Sequence, residues 1–279
     1  MRLDENYLRE MELWPLFELR GRVADSLPTT QISALAAAPR QSAAAAVETY
    51  SPPQSVPRPV ALPTKVREIA KPLTAPTQLA PIDPARAARI ATLDFAGVLA
   101  GAASCTACGL CKQRKQAVVG VGAHDAPWLL VGEGPGAEED QQGEPFVGQA
   151  GKLLDAMLQA AGLARGREVY IANVVKCRPP GNRTPTVEEA AACAPFLDRQ
   201  IDLIKPKLIV ALGKTAVTRL TGSDASMASL RGQALEYRGI PVIATYHPAY
   251  LLRNLPEKLK AWEDLIFARQ KMAALAAMQ

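Results

Sequence analysis

Long apolar stretches are missing from this chain: although 48% of its 279 residues are apolar, no run of about 18 or more is free of both charge and proline, which excludes a membrane-spanning helix. No secretory leader is expected either, because "MRLDENYLREMEL" carries acids where such a leader needs an apolar core. A cytoplasmic protein with no membrane partner is expected. Aromatic residues are few, at 5%, and histidine is nearly absent, with two in the chain. Neither sign of charge dominates: 32 Lys+Arg against 27 Asp+Glu leave +5, which permits a polyanionic partner without requiring one. Cysteine is sparse and odd in number, with five in all. Cys105, Cys108, Cys177 and Cys193 fall into two pairs and leave Cys111 over; in a reducing compartment such clusters point to metal or redox chemistry before disulfides.

The length suits one or two domains at roughly 150 residues each, and composition divides the chain near residue 90. About half of the 23 prolines precede that point, together with Ala-, Ser- and Gln-rich stretches such as "SALAAAPRQSAAAAVETYSPPQ". Repeated proline breaks helical register, and Ala and Ser supply too little apolar area to offset the ordering entropy of about 1 to 2 kcal/mol per residue. The expected organisation is a short amphipathic segment over 1–22, a Pro/Ala-rich linker without fixed structure over 23–92, and a folded domain over 93–279. In the first segment Leu8, Met11, Trp14 and Phe17 share a helical stripe bent by Pro15, suited either to lying on the domain or to docking a protein partner.

From residue 93 the pattern alternates. "WLLVG" (128–132), "VYIANVV" (169–175), "LIVALG" (208–213) and "VIATY" (242–246) are short β-branched runs suited to strands buried on both faces. Between them, "AGKLLDAMLQAAGL" predicts a helix closed by Gly162, "TVEEAAACAPFLDRQIDLIK" a helix capped by Thr186, and "KTAVTRLTG" a helix directly after the third strand. "LDFAGVLAGAA" predicts a helix leading into the first cysteines, and "EKLKAWEDLIFARQKMAALAAM" a long final one. Alternation of this kind predicts an α/β sandwich with a mainly parallel sheet and ligands at the carboxyl ends of its strands.

Three loops after strands carry the candidate chemistry. The first strand runs into "GEGPGAEED" and then "GEPFVGQAGKLL". Its glycines let backbone approach a ligand, but the spacing is not that of a dinucleotide or phosphate loop, and Glu133, Glu138, Glu139 and Asp140 would repel phosphate. A carboxylate acting on water or on a developing cation is the reading that remains. Asn173, late in the second strand, offers donors and an acceptor suited to the polar edge of a nucleobase. His247, in "TYHPAYLLRN", follows the last strand with Arg253 six residues on, so the loop can supply a charge stabiliser and a phosphate contact; His124 reads as structural. C-x2-C at 105 and 108 combined with Cys177 and Cys193 fits either a four-sulfur zinc site or a [4Fe–4S] cluster.

Together, "GEGPGAEEDQQGEPFVGQAG", "NVVKCRPPGNR", "HPAYLLRN" and the four cysteines resemble the family 4, iron–sulfur uracil-DNA glycosylases, over roughly residues 95–275. The resemblance implies a three-layer α/β/α sandwich with a central four-stranded, mainly parallel sheet, and hydrolysis of the N-glycosidic bond of deoxyuridine in DNA as a step of base excision repair. It matches Asn173 to the residue that bonds the uracil edge, Phe146 to the aromatic stacked on the ring, and His247 to the donor on uracil O2. Glu133 falls in the motif that positions water, beside Gly134, where better-known uracil glycosylases carry Asp. Glu139 matches a position near C5 of the base, with Glu138 and Asp140 solvated. Leu252 and Arg253 match residues that fill the gap left by the extruded base and grip a phosphate. The implied cofactor is a [4Fe–4S] cluster on Cys105, Cys108, Cys177 and Cys193, with Cys111 spare. Lys176, Arg178 and Arg183 are candidate DNA-facing cations, and a monomer is expected.

Three other functions compete. A covalent uracil-trapping variant is disfavoured because its Arg-rich insertion before the last motif is missing. A non-catalytic damage-binding module is disfavoured by the intact Glu133, Asn173 and His247. A zinc-binding interaction protein differs in its metal.

Overall fold

A computed structural model describes residues 83–277. The reading of 1–22 and nearly all of the linker therefore lies outside the described residues. The linker's expected end at 92 is corrected: Pro84–Ala91 is a helix (α1), with Asp83 accepting the Ala85 N–H as N-cap, Pro84 in the first turn and Ile90 buried. Asp-Pro followed by Ala and Arg is an ordinary helix start, masked in the sequence by the proline-rich composition before it.

The chain continues through α2 (Phe95–Ala103), a 3-10 turn at Gly109–Lys112, and the strands β1 (Val121–Gly122) and β2 (Trp128–Gly132). Two helices follow, α3 (Ala137–Gln142) and α4 (Gln149–Ala160), and then β3 (Val169–Asn173), α5 (Val187–Ile204) and β4 (Leu208–Leu212). The remainder is α6 (Lys214–Thr221), α7 (Met227–Leu230), β5 (Leu235–Tyr237), β6 (Ile240–Thr245), α8 (Pro248–Leu251) and α9 (Glu257–Ala277). Thr186 caps α5 in a reciprocal box with Glu189, as its sequence predicts.

The sheet has six strands in the order β1-β3-β2-β4-β6-β5. The four expected strands are its parallel centre, and β1 and β5 pair antiparallel at the edges. The count of four is corrected for a physical reason: a strand of two residues has no readable period, and β5 alternates exposed and half-buried positions. Alternate side chains of the centre enter two cores. Leu129, Val131, Tyr170, Ala172, Ile209 and Ala211 meet residues of α1, α2, α5 and α6, whereas Leu130, Ile171, Val210 and Ile243 meet α4 and α9. The result is an α/β/α sandwich. Because the chain leaves β2 for β3 on one side and then crosses to β4 on the other, the strand order reverses at the carboxyl end of β2, where an open α/β sheet offers its binding crevice.

Candidate active site

A cavity of about 560 Å³ opens at that point, between the loops after β2, β3, β4 and β6. It brings together Glu133, Gly134, Glu139, Phe146, Asn173, His247 and Arg253 from three separate loops. Leu252 is not among its lining residues and stays 37% exposed on the surface.

Asn173 ends β3 on the cavity floor and is 1% exposed. Its Oδ1 is buried and has no hydrogen-bond partner in the protein, a condition that costs about 1–3 kcal/mol and marks a place for a ligand donor. Gly132 makes room beside it: a Cβ there would lie 2.4 Å from Asn173 Oδ1 and 2.6 Å from Phe146 Cζ. The Phe146 ring packs 5.4 Å from the His247 ring, centroid to centroid, tilted by 30°. His247 Nδ1 accepts the Ala249 N–H at 3.2 Å. Burial, reinforced by Arg253, pushes this imidazole down to about 4, so at neutral pH it is uncharged and Nε2 carries the hydrogen.

The acids of the first loop divide by task. Glu133 is half-buried, and one of its oxygens, Oε2, accepts the Thr215 hydroxyl from the first turn of α6. Glu139 accepts the N–H groups of Gly136, Val147 and Gly148, each at 3.0 Å. Both its oxygens are thus engaged in tying the loop to itself. Asp140, expected in solvent, is 2% exposed and accepts from the Lys115 and Gln116 backbone. Glu138 is exposed as expected.

The five sulfurs gather elsewhere. Cys105, Cys108, Cys111, Cys177 and Cys193 line a second, small cavity with Arg114, Lys176 and Phe196. Nitrogen donors face three of the sulfurs: Arg114 Nη1 donates to Cys177 Sγ at 2.9 Å, Arg86 Nη2 to Cys105 Sγ at 3.3 Å, and the Lys176 N–H to Cys193 Sγ at 3.3 Å. Burial pushes the Cys193 thiol up to about 12 and those of Cys108 and Cys177 upward. Among the described residues, no group of three or more His, Cys, Asp or Glu side chains forms the ligand set of a metal ion.

The expected cations behave differently from one another. Lys176 is 1% exposed, not facing DNA; its Nζ donates to the Asn173 carbonyl at 2.7 Å, and desolvation pushes its ammonium down to about 8. Arg183 holds Glu189 through two 2.7 Å bonds and Arg178 donates to Asn182, which fixes the loop along the cavity rim. His124 stacks on Phe95, ring centroids 3.7 Å apart. The roles of Thr215 and Arg165 and the burial of Lys176 carry little sequence signal beyond the "GKT" that directly follows a strand end.

Comparison with known proteins agrees with this geometry. The profile of the uracil DNA glycosylase superfamily matches residues 119–266. The type-4 uracil-DNA glycosylase of Thermotoga maritima is 52% identical over 158 residues, 56% of this chain and 82% of that protein. Those of Sulfurisphaera tokodaii and Pyrobaculum aerophilum are 46% and 47% identical, over 58% and 54% of this chain and 76% and 81% of theirs. The chain belongs to the uracil-DNA glycosylase superfamily and, within it, to the type-4 uracil-DNA glycosylases.

Proposed function

We propose that this protein hydrolyses the N-glycosidic bond of deoxyuridine in DNA, releasing uracil and leaving an abasic site for base excision repair. The observation that carries the reading is the buried, unpartnered Asn173 Oδ1 on the floor of a cavity walled by Phe146 and His247. Uracil presents N3–H between two carbonyls, so Oδ1 accepts N3–H while the amide nitrogen donates to O4; cytosine presents an acceptor at N3 instead. Stacking on Phe146 and these bonds offset the few kcal/mol needed to draw the nucleotide out of the helix.

Cleavage develops negative charge on the uracil and positive charge on the sugar. A neutral His247 donating Nε2–H toward O2 stabilises the first without placing a full cation beside the base. Glu133, with Oε2 occupied by Thr215, has Oε1 left to orient water and to face the sugar cation. Glu139 acts by holding the loop that shapes the pocket near C5, and Gly134 lets that loop pass close to Val175, which a Cβ would approach to 2.7 Å. Arg253 on the rim grips a phosphate, and the exposed Leu252 beside it fills the vacated stack.

The cysteine cavity suits a [4Fe–4S] cluster held by Cys105, Cys108, Cys177 and Cys193. Arg86, Arg114 and the Lys176 N–H face Cys105, Cys177 and Cys193 as donors, which would suit sulfur carrying negative charge in such a cluster. Buried thiols of raised pKa need compensating positive charge to ionise, which iron supplies. Its part is structural, tying α2 to the loop that leaves β3 and lines the pocket rim.

The test is release of uracil from a labelled oligonucleotide, read as strand cleavage after hot alkali, beside thymine and cytosine controls. Cleavage confined to the uracil substrate is expected. No cleavage by iron-loaded protein overturns the reading; a denaturation-resistant protein–DNA band would instead indicate covalent trapping, and retention without release a binding module.

A further inference from the structure

Phe146 lines the cavity beside His247, with its ring and Asn173 Oδ1 both close to Gly132, and its backbone is in an unusual state. Its φ is +57°, the left-handed region that a bulky residue rarely occupies. Such a conformation persists only where neighbouring groups over-determine it. Here they come from both sides. Ahead of the ring, Arg165 Nη1 donates to the Pro145 carbonyl at 2.7 Å and Nη2 to the Phe146 carbonyl at 2.8 Å. Behind it, Glu139 accepts the N–H groups of Val147 and Gly148. Arg165 is itself held by Asp155 of α4, at 2.9–3.0 Å. Close packing adds a third restraint, since a Cβ at Gly151 would lie 1.9 Å from the Phe146 carbonyl oxygen.

We infer that Arg165 is a positioning residue for base binding: its guanidinium fork clamps two successive carbonyls and so presets the Phe146 ring in the orientation that stacks on the extruded uracil. The inference rests on the glycosylase reading above. Arg165 does not line the cavity, so it acts through Phe146. A fork is required because one planar group must serve two oxygens in fixed directions, which a single ammonium on a flexible stem does not reproduce.

The test is the inhibition constant of free uracil, measured with single-turnover base release on full-length, iron-loaded protein. Base–aromatic stacking accounts for a factor of about 5 to 150 per base. Arg165→Gln is expected to raise the uracil inhibition constant and the half-saturating DNA concentration about 10-fold, and to change the saturating rate much less. Arg165→Lys is expected to fall well short of wild type, and Asp155→Asn to move the inhibition constant in the same direction by less. In a Phe146→Ala background, Arg165→Gln should add nothing further. Melting temperature of each variant separates these effects from unfolding. An unchanged inhibition constant in Arg165→Gln, full rescue by Lys, or effects of Arg165→Gln and Phe146→Ala that simply multiply would overturn the role of Arg165 while leaving the activity intact. Wild-type protein that releases no uracil would overturn the glycosylase reading and this role with it.

Discussion

The two cavities lie at either end of the short stretch Asn173–Cys177 and differ in what their polar groups leave open. In the pocket, side chains tie off the loop backbones, with Glu139 on three N–H groups and Arg165 on two carbonyls, and a neutral amide oxygen is left open. In the cysteine cavity cationic and N–H donors already face three of the five sulfurs, those of Cys105, Cys177 and Cys193. The first is prepared for an uncharged base, and the second compensates negative sulfur. Lys176 spans them, with its backbone N–H on Cys193 Sγ and its Nζ on the Asn173 carbonyl. On the proposed reading, recognition and structural support are separate in chemistry but share one segment of chain.

The strongest way to break that separation is at the pocket. Asn173→Ala and His247→Ala are each expected to cost about 100- to 1000-fold in the rate of base release, with iron content and visible absorbance unchanged; loss of iron in either would mean that the cavities are not separable. At the other end, Cys177→Ser and Cys193→Ser should lower iron content and melting temperature together, and the fall in activity should follow the loss of folded rim loop. Full rate and unchanged melting in an iron-free variant would remove the structural role. Lys176→Met tests the span itself. It leaves the Asn173 carbonyl buried and unpaired, a cost of about 1–3 kcal/mol, so base release should fall about 10-fold with iron retained. Thr215→Val should lower the saturating rate by a comparable or smaller factor through Glu133, without altering inhibition by uracil, and Thr215→Ser should restore it.

The smallest effect concerns pH. His247 has a folded-state pKa near 4 against 6.5 in a free imidazole. Its neutral form therefore persists as pH falls from 7 to 5, and His247-dependent rate should be flat over that range in a pH–rate profile. The unfolded chain binds this proton first, so the group's contribution to stability declines as pH falls below about 6.5 toward 4. Arg253→Gln removes a cation that holds the imidazole down, and should move the acid limb to higher pH.

Much of this was legible before folding because it depends on local period or local motif. The four central strands, the Thr186 cap and the grouping of Glu133, Asn173 and His247 at strand ends follow from β-branched runs and the loops after them. Edge strands of two and three residues leave no such trace, and the Asp-Pro start of α1 is masked by the proline-rich composition ahead of it. Residue type also misled where burial decides: Lys176 and Asp140 read as surface charges and are buried with partners.

By itself, then, the sequence determined the alternating architecture, the family and the set of side chains available for chemistry, since hydrophobic period and short motifs are properties of neighbours along the chain. Only the tertiary structure decided which of those side chains are free. Glu139 has both oxygens engaged, Glu133 one, and Asn173 Oδ1 is unpartnered. Whether a polar atom is satisfied depends on groups brought to it from distant positions, such as Arg165 across the Phe146 loop and Thr215 across the sheet end, and no spacing within one segment encodes that.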